Sequence, residues 1–164
     1  MNRSALVIRE ADLNDAPYCA QACVRIVQYL QQNVPHDVYT AALPGTVGAP
    51  TLAWVKGFIE NPRSIALLAE IEDAPAGCLL ATISETNMPA TGFGEVGHIA
   101  GCWVEPAYRN HGIASDLVEH AEHWFRQQRV SRVELSYMAG NTVAQKAWTH
   151  LGYLPFRIFA HKEI

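Results

Sequence analysis

The stretch VEPAYRNHGIASDLVEHAEHWF, Val104 to Phe125, limits the folds open to this chain more than any other part of it. It is preceded by GHIAGCWV, Gly97 to Val104, an apolar run of strand character in which Gly97 and Gly101 invite a bulge or a close backbone approach. After the turn at Gly112, Ile113, Leu117, Val118, Ala121, Trp124 and Phe125 recur at helical spacing, while Glu119, Glu122 and Arg126 fall on the other side. Such a helix must lie on a sheet. The next run, Ser131 to Met138 (SRVELSYM), alternates as a strand, and a strand, helix, strand crossover normally returns parallel to its start.

The remaining segments fill in a mixed sheet. Ala5 to Arg9 reads as a short strand, and Asp12 or Asn14 then caps a helix whose apolar face carries Cys19, Ala22, Cys23, Ile26, Val27 and Leu30. Asn33 to Pro50, with three prolines and two glycines, reads as a long loop with at most a short helical turn. A short helix over Leu52 to Glu60 stops at Asn61-Pro62, and Ser64 to Glu72 and Ala76 to Glu85 form antiparallel strands around a turn at Asp73-Ala74-Pro75. Their unbroken apolar character points to a sheet covered on both faces. Asn141 opens a helix bearing Ala144, Ala147, Trp148 and Leu151, Gly152 ends it, and a last strand is expected from about Phe156 to Lys162. At 164 residues, residues 1 to 164 are expected to form one α/β domain (α+β, mixed sheet), mostly antiparallel with one parallel strand pair and flanked by helices.

Composition narrows the partners. A net charge of −4 with no basic run argues against nucleic acid, whose phosphate backbone needs a concentrated cationic surface. No apolar segment has the length of a membrane span, and MNRSALVIREADL lacks the features of a signal peptide, so a cytoplasmic location is expected. Cys19, Cys23, Cys78 and Cys102 show no paired metal spacing and read as reduced core residues. His120 and His123 lie one helical turn apart without a third ligand, which suits a solvated face better than zinc; no metal is expected.

A glycine-containing turn that feeds a helix leaves several backbone N–H groups, here expected from Arg109 to Ala114, pointing into one volume where the helix dipole adds positive charge. The natural tenant is a phosphate. The pattern is neither a Walker loop nor the dinucleotide fingerprint.

Taken with NTVAQKAWTHLGYLPF downstream, the stretch closely resembles the acetyl-coenzyme A binding segments of the GNAT superfamily of N-acetyltransferases. The match falls on Val104, Pro106, Tyr108, Arg109, Gly112, Ile113 and Ala114, then on Asn141, Ala144, Gly152 and Tyr153. The resemblance implies a GNAT-like acyl-coenzyme A N-acyltransferase fold in which the fourth and fifth strands splay apart to admit the cofactor arm. It implies acetyl-coenzyme A as co-substrate. By this resemblance the cofactor-binding set is Cys102, Trp103, Val104, Arg109, Asn110, His111, Gly112, Ile113, Ala114, Ser115, Asn141, Ala144 and Trp148.

The expected chemistry is direct attack of a primary amine on the thioester in a ternary complex. It requires a base for the ammonium, a donor for the carbonyl oxygen and a proton for the departing thiolate. His98, six residues before Val104, is the candidate general base, against the alternative of a histidine that merely hydrogen-bonds inside a sheet. Where the family often carries a tyrosine acid, this chain has Trp148, whose indole N–H is no proton source at neutral pH. Tyr153 and Tyr137 are the nearest phenols, with packing and a rim hydrogen bond as their expected work.

Acceptor selection in such a fold falls to Asn33 to Pro50 and Thr86 to Glu95, with His36, Asp37, Tyr39, Glu85 and Glu95 as candidate polar groups. The partner expected is a small-molecule or peptide amine, and a homodimer is allowed. The competing readings are a non-catalytic acyl-coenzyme A binding or sensing module of the same fold, and a phosphate-binding domain of another fold.

Overall fold

The computed structural model describes residues 6–34, 48–85, 94–160 and 162. Five strands form one sheet in the order β1-β2-β3-β4-β5, with β1 at Leu6–Glu10, β2 at Ser64–Ile71, β3 at Ala74–Glu85, β4 at Glu95–Val104 and β5 at Val133–Leu135. The first four are antiparallel neighbours; β4 and β5 are parallel. Among the described residues four helices flank the sheet: α1 (Ala16–Asn33), α2 (Ala49–Glu60), α3 (Ile113–Gln127) and α4 (Thr142–His150), with a short 3-10 turn at Pro106–Tyr108.

The apolar runs of β2 and β3 are explained by two cores. Leu67, Ala69, Leu79 and Ala81 face α3 with Ile113, Leu117, Val118 and Phe125. Their neighbours Ala66, Leu68, Cys78 and Leu80 face α1 and α2 with Cys19, Ala22, Val55 and Phe58. A strand buried on both sides has no position for a polar residue, and each Leu so buried contributes about 1.5–3 kcal/mol of transfer free energy. Gly97 is fixed by this packing, since a Cβ there would lie 2.6 Å from the Phe125 ring of α3.

Several expectations shift. The β2–β3 turn is the two-residue pair Glu72-Asp73, both at positive φ, so Ala74 and Pro75 already belong to β3. The N-cap of α1 is Asp15, not Asp12 or Asn14. Its carboxylate accepts from Arg9 Nη1 at 2.7 Å and Nη2 at 3.0 Å, while Arg9 also donates to Glu70, so a cross-strand ion-pair cluster decides where the helix begins. α2 starts at Ala49, three residues early, and residues 35–47 of the expected loop lie outside the described set. The strand expected over Ser131 to Met138 is reduced to Val133–Leu135. No strand forms over Phe156 to Ala160, and α4 closes as expected at Gly152 (φ 88), with Tyr153 N–H donating to Trp148 O at 2.9 Å.

Candidate functional site

β4 carries the candidate site, and its irregularity opens a gap beside it. The register with β3 shifts between Leu80 and Ala81, where Leu80 faces Gly101 and Ala81 faces Ile99, leaving Ala100 as the bulged residue. On the opposite side β4 pairs with β5 only through Gly97, His98 and Ile99. From Ala100 to Val104 that side of β4 has no strand partner among the described residues, so the two parallel strands part at the bulge.

The parted strand leads into the turn. Arg109 N–H donates to Pro106 O at 3.4 Å, closing the 3-10 turn. The free run therefore begins at Asn110, one residue later than the sequence suggested. The backbone N–H groups of Asn110, His111, Gly112, Ile113, Ala114 and Ser115 make no hydrogen bond among the described residues; the next, Asp116 N–H, donates to Gly112 O at 3.0 Å. Asn110 (φ 63) and Gly112 (φ 86) are both left-handed, a backbone that gathers successive N–H groups into a concavity at the head of α3. Glycine adopts that conformation at no steric cost, and asparagine more readily than most residues. His111 Nδ1–H donates to Arg109 O at 2.7 Å, which holds its exposed ring against the loop.

The Arg109 side chain does not reach forward into this concavity. Its Nε donates to Val104 O at 3.0 Å, and its guanidinium lies 4.6 Å from the Trp103 ring centre and 5.8 Å from that of Tyr29 on α1. Beneath it Glu105 accepts from Tyr18 Oη at 3.0 Å and is ion-paired with Arg25, both from α1. This strap across the end of β4, from Tyr18, Arg25 and Tyr29, was not legible in the sequence, because helical spacing gives those residues no distinguishing signal. The Trp103 indole Nε1 is buried with no hydrogen-bond partner among the described residues.

His98 alternates with Gly97 and Ile99, which face α3, and so points to the α1 side of the sheet, opposite Glu134 of β5. Burial lowers its pKa from the ordinary 6.5, and the Glu134 charge partly offsets this, so the imidazole is neutral at pH 7. Glu134 accepts from Arg132 Nε at 2.7 Å. Cys102 faces the α3 core, where burial pushes its thiol up to about 12, and Cys23 is likewise pushed up to about 11; neither is a thiolate at neutral pH. Cys19 and Cys78 are free and buried together under α1.

Across the gap, Asn141 caps α4, its Oδ1 accepting from Ala144 N–H at 3.0 Å. Nδ2 has no partner among the described residues. Trp148 packs edge-on against Tyr153, ring centres 5.5 Å apart, and Tyr153 Oη donates to Glu122 of α3 at 2.9 Å. That hydroxyl is committed to packing, and its pKa is raised, chiefly by burial. His120 and His123 are exposed and bonded to their own helix, His120 Nδ1–H to Asp116 O and His123 Nε2 from Gln127. Of the acceptor candidates, Glu95 is paired with Arg63 at 2.5 Å and Glu85 is exposed; His36, Asp37 and Tyr39 lie outside the described residues.

The family described as the acetyltransferase (GNAT) family matches residues 33–153, almost three quarters of the chain. This protein is a member of the GNAT acetyltransferase family. Solved structures share its fold at low identity. Aminoglycoside N-acetyltransferase AAC(6')-Iy in complex with CoA aligns with TM-score 0.72 and 17% identity over 96% of this chain and 94% of its own. A tetramutant of the BH1408 protein of Bacillus halodurans gives TM-score 0.82 at 14% identity over 96% and 99%. Ribosomal-protein-alanine N-acetyltransferase from Brucella melitensis biovar Abortus 2308 gives 0.66 at 16% over 97% and 100%. A search of curated protein sequences returned no match. Among the described residues no helix is long and apolar enough to cross a membrane.

Proposed function

We propose that this GNAT protein transfers an acetyl group from acetyl-coenzyme A to a primary amine by direct attack in a ternary complex. The observation that carries the reading is the six-residue run of unpartnered N–H groups from Asn110 to Ser115, set at the end of a strand whose neighbour has parted from it. A diphosphate satisfies those donors and the head of α3 together. The unpaired side of β4 from Ala100 to Val104 and Asn141 Nδ2 offer hydrogen-bonding groups to an amide-bearing arm lying in the gap. Neighbouring structures determined with CoA, and one with a bisubstrate analogue, CoA-S-monomethyl-acetylneamine, support this choice of co-substrate and of an amine acceptor.

Acetyl-coenzyme A supplies the acyl carbon as a thioester. Neutral His98 takes a proton from the acceptor ammonium, directly or through water, and frees the lone pair that forms the C–N bond. A β4 backbone N–H between Cys102 and Val104 donates to the carbonyl oxygen as charge builds there. The C–S bond breaks and the sulfur leaves as thiolate, which takes its proton from water, since the Trp148 indole is no proton source at neutral pH and the Tyr153 hydroxyl already donates to Glu122.

A thiol-release assay across a panel of amines tests the reading: saturable, amine-dependent release is expected. His98→Ala should lower turnover by about 10² to 10⁴-fold. Because burial lowers the His98 pKa, the wild-type rate should rise with pH below 6.5 and be flat by pH 7, and the variant should lose that rise. The commitment of Tyr153 to Glu122 favours one second reading, a non-catalytic acyl-coenzyme A binding module. Tight coenzyme A binding with no release for any amine would establish it.

A further inference from the structure

β5 places a carboxylate beside the candidate base. Val133 and Leu135, on either side of Glu134, pack against the α3 core, so Glu134 points to the α1 side of the sheet. His98 points the same way and is its register partner in the parallel pair, on strands roughly 4.8 Å apart. The Glu134 side chain is only 15% exposed, and Arg132 Nε donates to its Oε1 at 2.7 Å. Oε2 accepts no hydrogen bond among the described residues. An ion pair between residues two apart at the mouth of a three-residue strand adds little to stability. A fixed carboxylate next to an imidazole, by contrast, decides how readily that imidazole carries positive charge.

We propose that Glu134, held by Arg132, is a positioning residue for acetyl transfer, standing opposite His98 to stabilise the imidazolium formed when His98 takes the acceptor's proton. The proposal rests on the reading of His98 as the base. The proton passes from the ammonium nitrogen to the imidazole, the freed lone pair forms the C–N bond, and Glu134 stays a carboxylate throughout. No hydrogen bond joins it to His98 among the described residues, so the coupling acts through charge, and it grows as the proton arrives. An imidazolium donates from both ring nitrogens, and Oε2 is an acceptor available to one of them. Burial alone weakens His98 as a base, and the Glu134 charge returns part of that loss. Other groups around β4 are neutral or committed elsewhere. From β3 the neighbour is Thr82, which does not titrate, while Arg63 and Glu95 pair with each other at the start of β4 and Glu85 is exposed beside them. On α1, Cys23 is a neutral thiol, Tyr18 and Arg25 are bound to Glu105, and Tyr29 lies against Arg109 at the far end of the strand.

The test follows the His98 imidazole by NMR through a pH titration of the full chain, its signal assigned by its absence from His98→Ala. The pH–rate profile of thiol release with the best amine is measured alongside. Glu134→Gln keeps the shape and an oxygen for Arg132 but removes the charge. Both midpoints should fall by about 1 pH unit, since a carboxylate within about 4–6 Å favours the charged form of its partner by that much or more. The plateau rate should fall about tenfold, less than for His98→Ala. Glu134→Asp keeps the charge and should hold both midpoints nearer to wild type. A carboxylate that only packs β5 would, on its loss, lower the rate without moving the His98 midpoint. An unmoved midpoint in Glu134→Gln therefore overturns the proposal and leaves the base reading standing. Release with no amine, or a His98→Ala variant of wild-type rate, removes the base reading and this proposal with it.

Discussion

Residues up to Val130 and residues 131–162 are built differently. The first region holds two cores on either face of β2, β3 and β4; in the second, no described side chain is buried, α4 included. The proposed site lies where the two meet. One wall, β4 with the head of α3, is fixed by packing, while the other, β5 with α4, is held by a three-residue ladder, the Asn141 cap and partly buried rings such as Trp148 and Tyr153. A gap that must admit a long cofactor arm benefits from one wall that keeps its geometry and one with little packing to lose when a ligand enters. Under the proposed function, the difference between the regions is part of how the site would work.

Three substitutions sharpen or break this contrast. On the packed wall, Phe125→Ala should cost about 3–5 kcal/mol by chemical denaturation, because its ring is fully enclosed and also fills the space that Gly97 leaves. A loss below about 1 kcal/mol would show that this wall is not rigid. At the seam, Gly112→Val places a β-branched residue at φ 86 and should cost about 1–3 kcal/mol of stability, with a loss of coenzyme A affinity of about tenfold or more by calorimetry. On the open wall, Val143→Ala should change stability by no more than about 0.5 kcal/mol, since little of that side chain is shielded.

What the sequence disclosed follows the same division. The strand, turn and helix around Gly112 were legible because local signals agree there: an apolar run, a glycine where φ must be positive, and a clean helical face from Ile113 to Phe125. The two-sided burial of β2 and β3 was equally plain from their unbroken apolar runs. Errors arose where distant residues decide. Asp15 begins α1 because Arg9, itself held by Glu70, grips its carboxylate, and Arg109 folds back onto Trp103 and onto Tyr29, 80 residues earlier. The segment from Phe156 to Ala160 has a strand's composition but forms no strand, and composition alone does not reveal that. β5 is cut to three residues for a related reason, since the bulge at Ala100 turns β4 away from it.

The central claim is that the N–H groups of Asn110 to Ser115 receive a diphosphate. Backbone amide resonances followed by NMR during a coenzyme A titration address it directly. The account predicts saturable shifts concentrated at residues 110–115, with smaller ones along Ala100–Val104 and at Asn141, and slowed exchange of the loop amides in the complex. Saturable binding that leaves the resonances of residues 110–115 in place, or no binding at all, would contradict it.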